Sequence, residues 1–179
     1  MARASEESSR QLVGKRERKT TMRRTILLVA VGVTVLALVV GAALATPPKD
    51  ATTTLITRAT LGKFEAHNDG IKVESERHSA DLAIAKVVIE PGGSTGWHHH
   101  PGVGPAAVKS GAVTFYDEDC EKTVYRAGEG FLESHDEPML VRNRGNSKAV
   151  FYVAFMIPTS TTEEGLRIDD PRPKECNVR

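Results

Sequence analysis

The sequence predicts an all-β domain, an antiparallel sandwich or barrel, carried behind one N-terminal membrane-spanning helix. Three observations lead there. Beyond residue 51 the apolar residues come in short runs separated by turn residues, with almost no helical periodicity. A single long apolar stretch lies near the N-terminus. The length, 179 residues, suits about one domain.

Composition narrows the class. At 40% apolar and 26% charged, the chain is neither collagen-like nor wholly disordered. A net charge of +1 argues against nucleic acid as a partner. That total hides an asymmetry. Residues 1–24 carry eight Lys/Arg against three Asp/Glu, and the rest carries sixteen against twenty.

Thr25 to Ala45 is a run of 21 residues without a charge. As a helix at ~1.5 Å per residue it would be about 31 Å long, enough for a bilayer core. It has no polar face, as a surface helix would. Lys15, Arg16, Arg18, Lys19, Arg23 and Arg24 precede it, which places the N-terminus in the cytoplasm and the body outside. The expected location is therefore the cell membrane, single-pass, with the β domain extracytoplasmic. Ala43-Leu44-Ala45 also reads as a cleavage signature, so secretion after Ala45 is the alternative. Residues 1–24 are polar, charged and without periodicity, a composition expected to be disordered.

Residues 46–51, with two prolines, are read as a linker. Strands are expected near 53–58, 71–76, 82–89, 106–109, 112–117, 123–125, 130–132, 139–142 and 149–157. Breakers such as Asn68-Asp69-Gly70, Pro91-Gly92-Gly93 and Arg144-Gly145-Asn146 separate them. Leu82–Ile89 and Ala149–Ile157 are apolar on nearly every residue, which marks central strands. The chain thus divides into a leader (1–24), a span or signal peptide (25–45), a linker with the first strand (46–59), a barrel (60–158) and a polar tail (159–179).

Cys120 and Cys176 are the two cysteines. An even count in an oxidising compartment favours a disulfide over two separate buried thiols. Such a bridge would tie the tail to the loop near Asp117–Glu121 and contribute roughly 3–4 kcal/mol by chain entropy.

Three of the six histidines form His98-His99-His100. On a strand, His98 and His100 share a face and His99 takes the other. Two imidazoles about 7 Å apart along a strand can converge on one divalent metal ion, which needs further ligands from elsewhere. Trp97 before them is read as barrel core or mouth. His67 and His78 are read as surface residues. Glu129, Glu133, Asp136 and Glu137 form an acidic stretch, read as a solvated loop.

Gly92, His98, His100 and Gly111 fit the spacing of the first motif of the cupin superfamily, and Gly128 and Asn143 fit the second. The segment resembles small, exported, single-domain cupins over about residues 60–178. That resemblance implies a jelly-roll barrel with the site inside, a small-molecule ligand, a metal ion of unspecified identity and pairing into a homodimer. It also implies a cysteine pair like Cys120 and Cys176. In this chain the family's Glu ligand falls on Gly104 and its third His falls on Met139. His98 and His100 are thus the metal candidates, with Met139, His135 or Glu133 as the third ligand. A His98/His100/Met139 set would suit Cu(I). The expected function is binding of a small ligand in the barrel, with or without metal. The alternatives are a metal-dependent dioxygenase or isomerase, and a metal-free interaction domain. No G-x-S-x-G, P-loop or H-E-x-x-H pattern is present.

Overall fold

The computed structural model describes residues 45–178 except 76, 78, 134 and 135. The expected leader and span lie outside the described residues, save Ala45. Among the described residues no helix is long and apolar enough to cross a membrane.

Twelve strands follow in chain order: β1 (Lys49–Gly62), β2 (Glu65–Asn68), β3 (Ile71–Glu74), β4 (Ala80–Ser94), β5 (His98–His99), β6 (Gly104–Ser110), β7 (Ala112–Tyr116), β8 (Lys122–Arg126), β9 (Gly130–Glu133), β10 (Leu140–Arg142), β11 (Ala149–Pro158) and β12 (Ile168–Asp169). A 3-10 turn at Glu164–Leu166 is the helical element among the described residues. The main sheet runs β8-β7-β10-β4-β11-β6-β9, with β1 added along β4. The pairings are antiparallel throughout. β6 approaches β8 and β11 approaches β7, so the sheet folds back on itself into a nearly closed jelly-roll barrel.

Period-two patterning accounts for the core. Along β4, Ala83, Ala85, Val87 and Ile89 are buried while their neighbours are half-buried. Phe151, Val153, Phe155 and Ile157 of β11 are likewise buried, between neighbours that are half-buried or, at Tyr152, exposed. Both strands lie inside the sheet, as their nearly continuous apolar runs predict. Phe131 of β9 closes the barrel, with ring centroids 5.5 Å from Phe115, 5.2 Å from Tyr125 and 5.3 Å from Phe151. A second cluster gathers Trp97, Tyr116, Leu140 and Cys176, all almost fully buried.

Pro91-Gly92-Gly93 does not end a strand. β4 runs through it to Ser94, and its pairing with β1 jumps from Ala51↔Ile89 to Lys49↔Ser94. The segment is a β-bulge, with Gly92 at φ 79° where other residues would be strained. β1 starts at Lys49, inside the stretch read as linker, because its threonines pair along the edge of β4.

Asn143 fastens this bulge to the turn after β10. Its buried amide donates to Ile89 O (2.9 Å) and Ser147 O (2.8 Å), and its Oδ1 accepts from Gly145 N (2.9 Å). Asn143→Ala strands those groups. It is expected to lower unfolding free energy by about 1–2 kcal/mol, read by urea denaturation. An unchanged midpoint would show that water replaces the amide without loss.

Candidate functional site

His98 and His100 are turned inward and buried, and His99 faces outward, as strand alternation requires. The two inner rings meet edge to face with centroids 4.9 Å apart. Each is oriented by the backbone. His98 Nδ1 donates to Gly96 O (2.9 Å), and His100 Nδ1 donates to Leu166 O. A carbonyl can only accept, so both Nδ1 atoms carry the proton and the lone pairs sit on Nε2. Burial is the main force that holds both imidazoles neutral. His98 is pushed well below the usual range and His100 down to about 4. The Arg167 charge adds to both shifts, and the accepting carbonyls oppose them.

Glu133 departs from the solvated-loop reading. It ends β9 opposite Gly104 of β6, and only 2% of it is exposed. Cross-strand partners share a face, so this register turns the Glu133 carboxyl inward. The neighbours Glu129, Asp136 and Glu137 are exposed. Gly104 itself has no room for a side chain, since a Cβ there would lie 2.8 Å from Phe155 and Val153 side-chain atoms. A carboxyl therefore reaches this wall from Glu133 rather than from position 104. Glu133 Oε2 lies 3.3 Å from His100 Nε2. Burial pushes Glu133 up to about 8, against the pull of the Arg167 charge. With the carboxyl protonated and the imidazole neutral, the two face each other without an ion pair.

Met139 stands across from His98. Their backbones exchange two hydrogen bonds of 3.0 and 2.9 Å. Met139 is buried but does not line the cavity. His135 and His78 lie outside the described residues, and His67 is exposed.

These groups open onto a cavity of about 240 Å³ inside the barrel. β1 contributes Thr53 and Leu55, β4 contributes Ala85 and Val87, and β11 contributes Phe151 and Phe155. Glu163, Leu166 and Arg167 come from the C-terminal segment. That segment is a strap rather than a free tail. β12 pairs with β5 (Ile168↔His99, Asp169↔His98), and Asp170 accepts from His99 Nδ1 at 2.7 Å. Trp97 Nε1 donates to Val178 O at 3.1 Å, which places Trp97 under the strap and not in the cavity. Cys120 and Cys176 sit at disulfide distance, with Cα atoms 5.4 Å apart. The sequence reading tied this segment back through cysteine but assigned it no cavity residue. Leu166, which with Ile168 interrupts a polar stretch, was the available signal.

A family model described as Cupin domain matches residues 85–155. This segment is a cupin domain. Both inner histidines and Glu133 fall within it, whereas Arg167 lies beyond it. No curated protein matches the chain. Among solved structures, the chain is similar to a double-stranded β-helix protein of Klebsiella pneumoniae, 14% identical over 69% of this chain and 84% of that one, with a TM-score of 0.48. It is similar to a cupin domain of Bordetella pertussis, 16% identical over 60% of this chain and 94% of that one, with a TM-score of 0.42. It is also similar to an oxalate oxidase in complex with the substrate analogue glycolate, 24% identical over 41% of each chain, with a TM-score of 0.39.

The donor set can be weighed against a metal ion. Two ligands about 2.0–2.1 Å from one tetrahedral ion stand ~3.3 Å apart. The His100–Glu133 spacing of 3.3 Å has that value. Among the described residues, however, no three His, Cys, Asp or Glu side chains form a cluster able to hold a metal. The pair fits an ion, and a third donor is not gathered around it.

Proposed function

We propose that this cupin is an extracytoplasmic receptor for a small, largely apolar ligand, tethered by residues 25–45. The observation that carries this reading is the cavity. It is mostly apolar, is reached by a few convergent polar groups and, at about 240 Å³, lies just below the usual range of drug-sized sites, so it suits a smaller ligand. The Cys120–Cys176 pairing is consistent with an oxidising compartment. The inner histidines and Glu133 supply hydrogen-bonding groups on one wall. No pair of them is arranged as a nucleophile with its base, so binding is favoured over catalysis.

The test is a thermal-shift screen of small apolar compounds against the full chain, with EDTA present. Stabilisation by several compounds is expected, and it should vanish in Thr53→Trp. That substitution is tolerable because Thr53 is exposed, yet it fills the cavity at that residue. A screen with no hit would overturn the receptor reading.

The His100–Glu133 spacing favours a second reading, in which that pair holds a divalent ion and the neighbouring His98 ring shifts to join it. Such an ion would act as a Lewis acid toward a ligand oxygen. Elemental mass spectrometry decides it. Near-stoichiometric metal, lost in His98→Ala/His100→Ala, is the expected result of that reading, and background metal in both proteins would end it.

A further inference from the structure

Arg167 is the one fixed cation among the described residues lining the cavity. It arrives from outside the matched cupin segment, on the strap, just after the 3-10 turn Glu164–Leu166. Its Nε donates to Asp169 Oδ1 at 2.7 Å. Its Nη2 lies 2.7 Å from the same oxygen, yet it is buried and makes no aligned hydrogen bond. One carboxylate oxygen serves both nitrogens, so Nη2 has an ion-pair contact but no aligned hydrogen bond.

A second orphan lines the same cavity. Glu133 Oε2 is buried and has no aligned hydrogen bond, despite lying 3.3 Å from His100 Nε2. Buried polar atoms are almost always paired, and an unpaired pair in one cavity calls for a missing partner. The remaining lining is Leu55, Ala85, Val87, Phe151, Phe155 and Leu166 with a few neutral polar groups.

We propose that Arg167 selects the ligand: a small monocarboxylate whose head accepts from Nη2 while its apolar body fills the space against Val87, Phe151 and Phe155. This rests on the receptor reading. The guanidinium's charge reaches His98, His100 and Glu133, so it acts across the cavity and is not confined to the Asp169 pair. Asp169 is exposed, so water screens its charge and its 2.7 Å ion pair with Nη2 leaves part of the guanidinium's charge for a ligand. A planar guanidinium matches a carboxylate better than any neutral head group. A phosphate dianion is disfavoured, because Arg167 is the one fixed cation facing it and the Glu163 carboxylate lines the same cavity.

The test is calorimetric titration of the full chain with hexanoate and hexanamide, and with benzoate and benzamide. EDTA is present, so that attraction of a carboxylate to a metal cannot imitate Arg167. Each acid is expected to bind at least about tenfold tighter than its amide. Arg167→Gln should weaken the acids by roughly 10- to 100-fold and leave the amides within about twofold. Arg167→Lys should recover part of the preference. Equal binding of acid and amide, or a preference that survives Arg167→Gln, overturns the assignment. If these acids and amides all fail while the apolar screen gives hits, this inference falls and the receptor stands. If the screen is also blank, both fall.

Discussion

Raising the pH from 6.5 to 8 is expected to cost the metal-free protein about 2 kcal/mol of stability, and Glu133→Gln is expected to abolish that loss. Burial moves the Glu133 carboxyl from 4.5 to about 8. The folded protein therefore keeps a proton that the unfolded chain releases between those values. The stability linked to this group is full below about pH 4.5 and falls by ~1.4 kcal/mol per unit toward 8. His100 works in the opposite sense. Its folded value is about 4 against 6.5, so its contribution is full above 6.5 and is lost as the pH falls toward 4. His98 is shifted in the same direction and steepens the acid limb. Below 6.5 the histidine slopes oppose that of Glu133, and above 6.5 the Glu133 slope remains alone. Urea denaturation at pH 6.5, 7.25 and 8 in EDTA measures it. Equal alkaline slopes in wild type and Glu133→Gln would show that Glu133 ionises without penalty in the folded state. A divalent ion between His100 and Glu133 would favour the carboxylate, so added metal should flatten the wild-type slope if the second reading holds.

What the sequence made legible, and what it did not, follows from the range of each interaction. β4 and β11 could be read because apolar residues on both faces signal a strand covered on both sides. The inward pairing of His98 and His100 followed from a period of two. β5 and β12, two residues each, carry no periodicity, and they exist because they pair with each other and His98 pairs with Met139. The Pro91-Gly92-Gly93 segment looked like a turn, yet β1 supplied the partner that turned it into a bulge. Glu133 offered both readings, a solvated acid or a third ligand. Its register with Gly104, nearly thirty residues away, decided that it is buried. Arg167 was invisible for the same reason. It sits between Leu166 and Ile168 in an otherwise polar tail, and only long-range pairing of the strap with β5 carries it to the cavity.

Removing the Cys120–Cys176 link is expected to have the largest effect on stability, about 4 kcal/mol on the chain-entropy model for a separation of 56 residues. Cys120→Ser/Cys176→Ser should show it in urea denaturation, and reduction of the wild type should reproduce it. The loss should be uneven. Without the link, the strap keeps the two-residue pairing of β12 with β5, the contacts of Asp170 with His99, Trp97 O and Thr46 N, and the Leu166–His100 and Trp97–Val178 hydrogen bonds. The barrel sheet does not depend on the strap, since β4, β11 and β6 pair along their own lengths. Hydrogen exchange should therefore quicken first at Ile168–Asp170 and His98–His99, with β4 and β11 protected. Because Leu166 O orients His100 and Arg167 lines the cavity, the loosened strap should also blunt the preference for acid over amide before the barrel melts. Uniform acceleration across β4 and β11 would instead mean that the strap and barrel unfold as one unit, and that the link guards the whole fold rather than the cavity.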